Sequence, residues 1–216
     1  EELNCCIKNQ LIIKHRSEIL SMIMKSFKSI AVAGSHGKTS TSTLLTILID
    51  LCTQDTSSIV GGILPKYESN TIIKNSKYLI AEIDESDGTI SKYKPYLGII
   101  NNIDFDHCDH YSNLREVISS FNEFGSNSKI LLTNNDCKIT KENISSEYSW
   151  SIKQTTNVDF AIIPIKFDSE YTIGDYYEKG RAITRLKIPI PGIHNLSNIT
   201  AAISACRIIN IDMSCI

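Results

Sequence analysis

Hydrophobic positions along this chain change rhythm several times, and each change marks an element. Ile19, Leu20, Ile23, Met24 and Phe27 recur at three- and four-residue spacing, which predicts an amphipathic helix capped by Ser17, with Glu18 following. The apolar triplet Leu11-Ile12-Ile13 ahead of it reads as a short strand. From Ser29 onward strand and helix patterns alternate. The run 30–33 predicts a buried strand, and Leu44, Ile47, Leu48 and Leu51 predict the core face of the helix that follows. Ile59-Val60 before Gly61-Gly62 reads as a second short strand. Tyr78-Leu79-Ile80-Ala81 and Leu97-Gly98-Ile99-Ile100 are continuous apolar runs, the pattern of parallel strands covered on both faces. Val117, Ile118, Phe121 and Phe124 predict another helix, and 129–132 another strand.

Beyond Trp150 the texture changes. The stretches 158–165, 171–176 and 182–190 read as strands joined by turns at Ile173-Gly174-Asp175 and Lys179-Gly180, an antiparallel extension of the sheet. Leu196, Ile199, Ile203 and Cys206 then predict a last helix. The expected fold class is α/β, a P-loop-type, mostly parallel sheet flanked by helices with an antiparallel β extension. In such a sheet ligands gather at the carboxyl ends of the strands. Three polar clusters, after Ala33, Ala81 and Ile100, fall at such ends.

Composition narrows the picture without specifying it. The 216 residues are 42% hydrophobic and 21% charged, values of an ordinary globular protein, and no apolar run reaches the length of a membrane span. A net charge of −2 provides no basic footprint for nucleic acid and no polybasic membrane signal. Seven cysteines without C-x-x-C pairing read as reduced thiols of a cytoplasmic protein rather than a zinc or disulfide framework. The N-terminus has no signal-peptide pattern, and the first residue, Glu1, is not a methionine, so the start is expected to be cut from something longer.

The first cluster, Gly34-Ser35-His36-Gly37-Lys38-Thr39-Ser40, joins a predicted strand to a predicted helix. Glycines let backbone N–H groups approach phosphate, the helix N-terminus favours negative charge, Lys38 reaches the β/γ oxygens and Thr39 offers a hydroxyl to Mg²⁺. A full P-loop has a glycine five positions before Gly37, where this chain has Val32, so the motif is abbreviated. In the second cluster Glu82, Asp84, Glu85 and Asp87 crowd four carboxylates into six residues. Mg²⁺ beside nucleotide phosphates takes one or two carboxylates, so at most two are direct ligands. The third cluster, Asp104, Asp106, His107, Asp109 and His110, suits a nucleotide-bound metal, a zinc ion or a structural loop. His194, Asn195 and Asn198 either cap the last helix or hydrogen-bond a heterocycle, and on their own capping is the simpler reading.

Taken together, Gly34-Ser-His-Gly-Lys-Thr39, Glu82-Ile-Asp-Glu-Ser-Asp-Gly88, Asn102-Ile-Asp-Phe-Asp-His-Cys-Asp-His-Tyr111 and Pro191-Gly-Ile-His-Asn-Leu-Ser-Asn198 resemble the Mur ligases in kind and order, across residues 29–209. The resemblance implies a central ATP-binding domain over 29–216, preceded at 1–28 by the end of an N-terminal domain and a connector. It implies phosphorylation of the UDP-N-acetylmuramate carboxylate by ATP with Mg²⁺, and attack of L-alanine on the acyl phosphate, in cytoplasmic peptidoglycan precursor synthesis. Carried over by position, Lys38, Glu82 and His107 are the catalytic candidates and Thr39, Glu82 and His107 the metal candidates. Gly34 to Ser40, with His194, Asn195 and Asn198, are the nucleotide-binding candidates. Ser35 and Ser40 replace the more usual threonines and keep the hydroxyls. The alternatives are a ligase that adds a preformed peptide to the same sugar nucleotide, a noncatalytic nucleotide-binding module and, less favoured, a P-loop kinase or GTPase. Without UDP-binding and amino-acid-binding segments, the 216-residue stretch alone is expected to bind Mg-ATP weakly and to form no product. Oligomeric state is open.

Overall fold

The computed structural model describes residues 2–53, 55–105 and 110–216. The strands are β1 (Lys28–Ala33), β2 (Thr56–Leu64), β3 (Ser69–Ile72), β4 (Tyr78–Glu82), β5 (Leu97–Ile100), β6 (Ile130–Asn134), β7 (Tyr148–Ser151), β8 (Phe160–Phe167), β9 (Thr172–Glu178) and β10 (Arg181–Ile188). The helices are α1 (Glu2–Lys8), α2 (Arg16–Met24), α3 (Lys38–Thr53), α4 (Leu114–Asn127), α5 (Lys138–Asn143) and α6 (Ile193–Ile208). All ten strands share one sheet in the order β10-β9-β8-β7-β6-β5-β1-β4-β2-β3. From β8 to β2 the neighbours run parallel, while β9 and β10 at one edge and β3 at the other run antiparallel. This is the α/β class expected from the hydrophobic pattern. The antiparallel extension starts one strand later than expected, because β8 pairs parallel with β7 before turning into β9.

The central strands are buried on both sides, and alternate residues feed two cores. Ile30 and Val32 of β1, Ile80 of β4 and Ile99 of β5 join Leu45 and Ile49 of α3 and the Ala201–Ala202–Ala205 stretch of α6. Ala31 and Ala33, with Leu79, Ala81 and Ile100, join Met24 of α2 and Val117, Phe121 and Phe124 of α4. No helix among the described residues is long and apolar enough to cross a membrane.

Several local expectations are corrected. Residues 11–13 form no strand, and all three side chains are exposed. Helix α2 begins at Arg16 and is capped by His15, not Ser17. The His15 ring Nδ1 accepts from the Ser17 N–H, and Glu18 accepts from the His15 N–H at 2.9 Å, a reciprocal capping box in which imidazole replaces the usual hydroxyl. Gly61, Gly62 and Gly174 do not end strands but lie inside β2 and β9.

On α3 the inward residues are Thr41, Ser42, Leu45, Thr46, Ile49 and Asp50. The expected face is rotated: Ile47 and Leu51 are exposed, and with Leu44 and Leu48 they line an apolar groove against Ile188, Ile190 and Ile203. Ser42 and Thr46 can take inward positions because their Oγ atoms bond back to helix carbonyls, Ser42 to Thr39 at 3.1 Å and Thr46 to Ser42 at 2.7 Å, while Thr41 accepts from Asn101.

Candidate active site

Strand β1 lies where the chain switches sides of the sheet: β4 and β2 are to one side, β5 and β6 to the other. Loops leaving β1, β4 and β5 at their carboxyl ends therefore diverge around a crevice. The glycine loop fills its floor. Gly34 has φ +137°, and a β-carbon there would sit 3.0 Å from the Asn102 carbonyl oxygen. The Ser35 N–H donates to that same oxygen at 3.1 Å. Asn102 holds His36 from both sides, accepting from its N–H at 2.8 Å and donating to its carbonyl at 3.1 Å. The Asp104 N–H donates to Ser35 Oγ at 2.8 Å. Asn101, buried below the loop, donates to Thr41 Oγ1 at 2.9 Å. The end of β5 thus moulds the loop through two side-chain amides, Asn102 both accepting and donating and Asn101 donating from below.

Helix α3 starts at Lys38, and its first residues face the end of β4. Thr39 Oγ1 donates to Glu82 Oε1 at 2.9 Å, and the Gly61 N–H donates to Glu82 Oε2 at 2.6 Å. Lys38 folds back over the loop: its Nζ donates to the Gly34 carbonyl at 2.7 Å and lies 2.9 Å from each Glu85 carboxylate oxygen. Arg16 of α2 reaches the same acidic segment, with its Nη2 2.8 Å from Asp84 Oδ2 and 3.3 Å from Asp87 Oδ2. Burial pushes the Asp84 and Asp87 carboxyls up, but hydrogen bonds from Ser86 and Thr89 and the Arg16 guanidinium outweigh it and hold both below the usual carboxylate range. The same two partners hold the Arg16 guanidinium above its ordinary value.

The second end of the crevice belongs to α6. A β-carbon on Gly37, whose φ is +79°, would fall 2.5 Å from Asn198 Oδ1, so glycine is what lets α6 approach the loop. His36, Gly37, Asn102, Asn134, His194, Ser197 and Asn198 line a cleft of about 210 Å³. On the other side of Glu82, a cleft of about 280 Å³ runs between α2 and the acidic segment, lined by Arg16, Ile19, Ile23, Ile59 and Tyr93 among others.

Most residues singled out from the sequence converge here: Gly34 to Thr39, Glu82, His194 and Asn198. Ser40 lies exposed on the first turn of α3. Asn195 turns away, its amide donating to the Pro191 carbonyl at 2.8 Å. The helix cap is Gly192, with no side-chain cap bond, so neither His194 nor Asn195 caps α6 in the expected way. Asp106, His107 and Asp109 lie outside the described residues. Gly61, Gly62, Asn134 and Ser197 were not foreseen. A β-carbon on Gly62 would meet Thr39 Cγ2 at 2.9 Å, so the glycine pair inside β2 marks a close approach rather than a strand end.

Residues 32–206 match the description of the Mur ligase middle domain. The chain belongs to the Mur ligase family. It is 60% identical over 211 residues to the UDP-N-acetylmuramate–L-alanine ligase of Prochlorococcus marinus subsp. pastoris, a match that covers 98% of this chain and 45% of that protein. The chain therefore spans less than half the length of that curated relative. Among solved structures, the UDP-N-acetylmuramate–alanine ligase of Thermotoga maritima superposes with a TM-score of 0.88 at 21% identity, over 99% of this chain and 49% of that one. A second Mur ligase from Thermotoga maritima, MurF in complex with ADP, gives a TM-score of 0.73 at 16% identity over 95% of this chain and 52% of that one. These two likenesses establish the shared Mur ligase fold.

Proposed function

We propose that residues 29–216 are the ATP-handling domain of a cytoplasmic ligase that joins L-alanine to UDP-N-acetylmuramate in peptidoglycan precursor synthesis, with residues 1–28 as a connector from a preceding domain. The observation that carries this reading is the meeting of Thr39, in the first turn of α3, and Glu82, at the end of β4, 2.9 Å apart in a chain 60% identical to an alanine-adding ligase.

The donor set suits Mg²⁺. A hydroxyl and one carboxylate lie side by side, and Glu82 is met only by neutral donors among its described hydrogen bonds, Thr39 and Gly61. Mg²⁺ is usually held by one or two carboxylates together with substrate phosphates. Thr39 and Glu82, with His107 as a further candidate, would hold the ion, which supplies positive charge against the phosphate oxygens. No group of three or more His, Cys, Asp or Glu side chains that could hold a metal ion occurs among the described residues.

The rest of the chemistry follows from the chain's own groups. A carboxylate is a poor electrophile, and its phosphorylation by ATP provides a leaving group for attack by the alanine amine. The loop N–H groups at the start of α3 receive the phosphates, and the Lys38 ammonium stabilises charge on the transferred phosphoryl group. The cleft at His36, His194 and Asn198 offers amide and imidazole groups to the base. The ADP complex of the related MurF supports nucleotide binding in this fold.

The test is ligation by the full-length protein containing this chain. ATP, UDP-N-acetylmuramate and L-alanine should yield ADP and the alanyl product, with L-alanine preferred over a tripeptide, and Glu82→Ala should abolish turnover. Retained ligation in Glu82→Ala, or preference for the tripeptide, would overturn the reading.

A further inference from the structure

Glu85 is an unexpected group to find beside a phosphate loop. Its residue surface is 2% exposed, and a buried carboxylate in that place repels a polyanion. Its neighbours show how it is held. The Glu85 carbonyl accepts from the Tyr111 hydroxyl at 3.1 Å and from the Gly88 N–H at 3.1 Å. The flanking Asp84 and Asp87 are tied to Arg16. These contacts fix the backbone at Glu85 independently of Lys38. Lysine, by contrast, carries its charge on a flexible four-carbon stem.

We propose that Glu85 is a positioning residue for phosphoryl transfer: its carboxylate clamps the Lys38 ammonium against the Gly34 carbonyl and so fixes that charge in place before nucleotide arrives. This inference rests on the reading of the loop as an ATP site. The Gly34 carbonyl, at 2.7 Å, and the Glu85 carboxylate, at 2.9 Å, hold the ammonium between them at the mouth of the loop. A charge that is already in place needs no reorganisation when negative charge builds on the transferred group. The two glutamates at the end of β4 therefore divide their work. Glu82, met by Thr39 and Gly61, serves the cation that comes with the nucleotide, and Glu85 serves the cation built into the chain.

The arrangement has a kinetic signature. The negative charge of Glu85 weakens ground-state attraction for the nucleotide, while the clamp favours the transition state. In the full-length ligase, Glu85→Gln keeps the shape and removes the charge. It should lower kcat about 10- to 100-fold, the scale of a misplaced catalytic group. The KM for ATP should stay unchanged or fall, and the melting temperature should stay within a few degrees of the parent. Glu85→Asp, which keeps the charge on a shorter stem, should recover part of the lost kcat. Parental kcat in Glu85→Gln overturns the proposal, as does a loss of ATP affinity equal to the loss of kcat together with a collapsed melting temperature. If Glu85→Gln does not fold, Glu85→Asp decides: a lowered kcat at parental stability supports the clamp, and parental kcat refutes it. A parent enzyme that neither binds ATP nor ligates would instead overturn the ATP-site reading itself.

Discussion

The Gly61 N–H donates to Glu82 Oε2 at 2.6 Å, and a β-carbon at Gly61 would lie 2.7 Å from that same oxygen. The glycine thus supplies the hydrogen bond and the room for it. A methyl group there displaces the end of a flexible side chain rather than backbone, so Gly61→Ala should cost little stability, within about 1 kcal/mol. It should push Glu82 away from Thr39 and raise the Mg²⁺ concentration needed for nucleotide binding at least severalfold. Titration of nucleotide binding against Mg²⁺, with a parallel urea melt, checks both halves.

Gly37→Ala should behave differently. Its φ of +79° disfavours any side chain, and the new methyl would drive Asn198 off the loop. The expected cost is about 1–2 kcal/mol, from the backbone penalty plus the lost approach of α6. Thermal melts with and without Mg-ATP should show the parent stabilised by nucleotide and the variant scarcely at all.

Asp50, near the end of α3, is buried and accepts from Lys66 at 2.8 Å, from Lys74 at 2.6 Å and from the Tyr67 hydroxyl. Burial pushes its carboxyl up, but these three donors outweigh burial and hold it well below the usual range. A carboxyl with a depressed folded value contributes stability that is complete above its unfolded pKa, about 4, and is lost as pH falls towards the folded value. Asp50→Asn should therefore cost about 2 kcal/mol at pH 7, the scale of hydrogen bonds to a charged group. The gap from the parent should narrow progressively below pH 4. Urea unfolding at neutral pH and at about pH 3 measures it.

Arg16 makes a contrasting case. Its side chain is 68% exposed and that of Asp84 is 44% exposed, so solvent screens the pair. Arg16→Gln should change stability by less than about 1 kcal/mol. The Asp84 and Asp87 carboxyls should nonetheless titrate at higher pH once the guanidinium is gone, an upward shift readable by carboxyl NMR and reduced in high salt.

The parallel strands and the phosphate loop were legible because continuous apolar runs and a G-K-T turn are local signals. The facing of α3 was not: its leucines form the more hydrophobic stripe, yet Ser42 and Thr46 turn inward with hydroxyls satisfied by the helix itself, and Thr41 with its hydroxyl met by Asn101. The strand β3, Ser69–Ile72, carries almost no hydrophobic signal and exists because β2 offers it an edge. The cap at His15 was missed since imidazole rarely takes that role. Within the site, Glu82 and Asn198 were readable from motif and order. The clearance at Gly61 and Gly62 was not, because it depends on β2 passing beside β4, a relation of strands 21 residues apart in the case of Gly61 and Glu82.

The helix that starts at the phosphate loop and the helix that carries His194 and Asn198 pack directly against each other. Both also join the same buried cluster, where α6 presents Ala201, Ala202 and Ala205. The two ends of the crevice are thus jaws of one caliper, hinged on a core they share well behind the opening. A repacking of that shared core would therefore be felt at both ends of the crevice while leaving every cleft-lining side chain as it was.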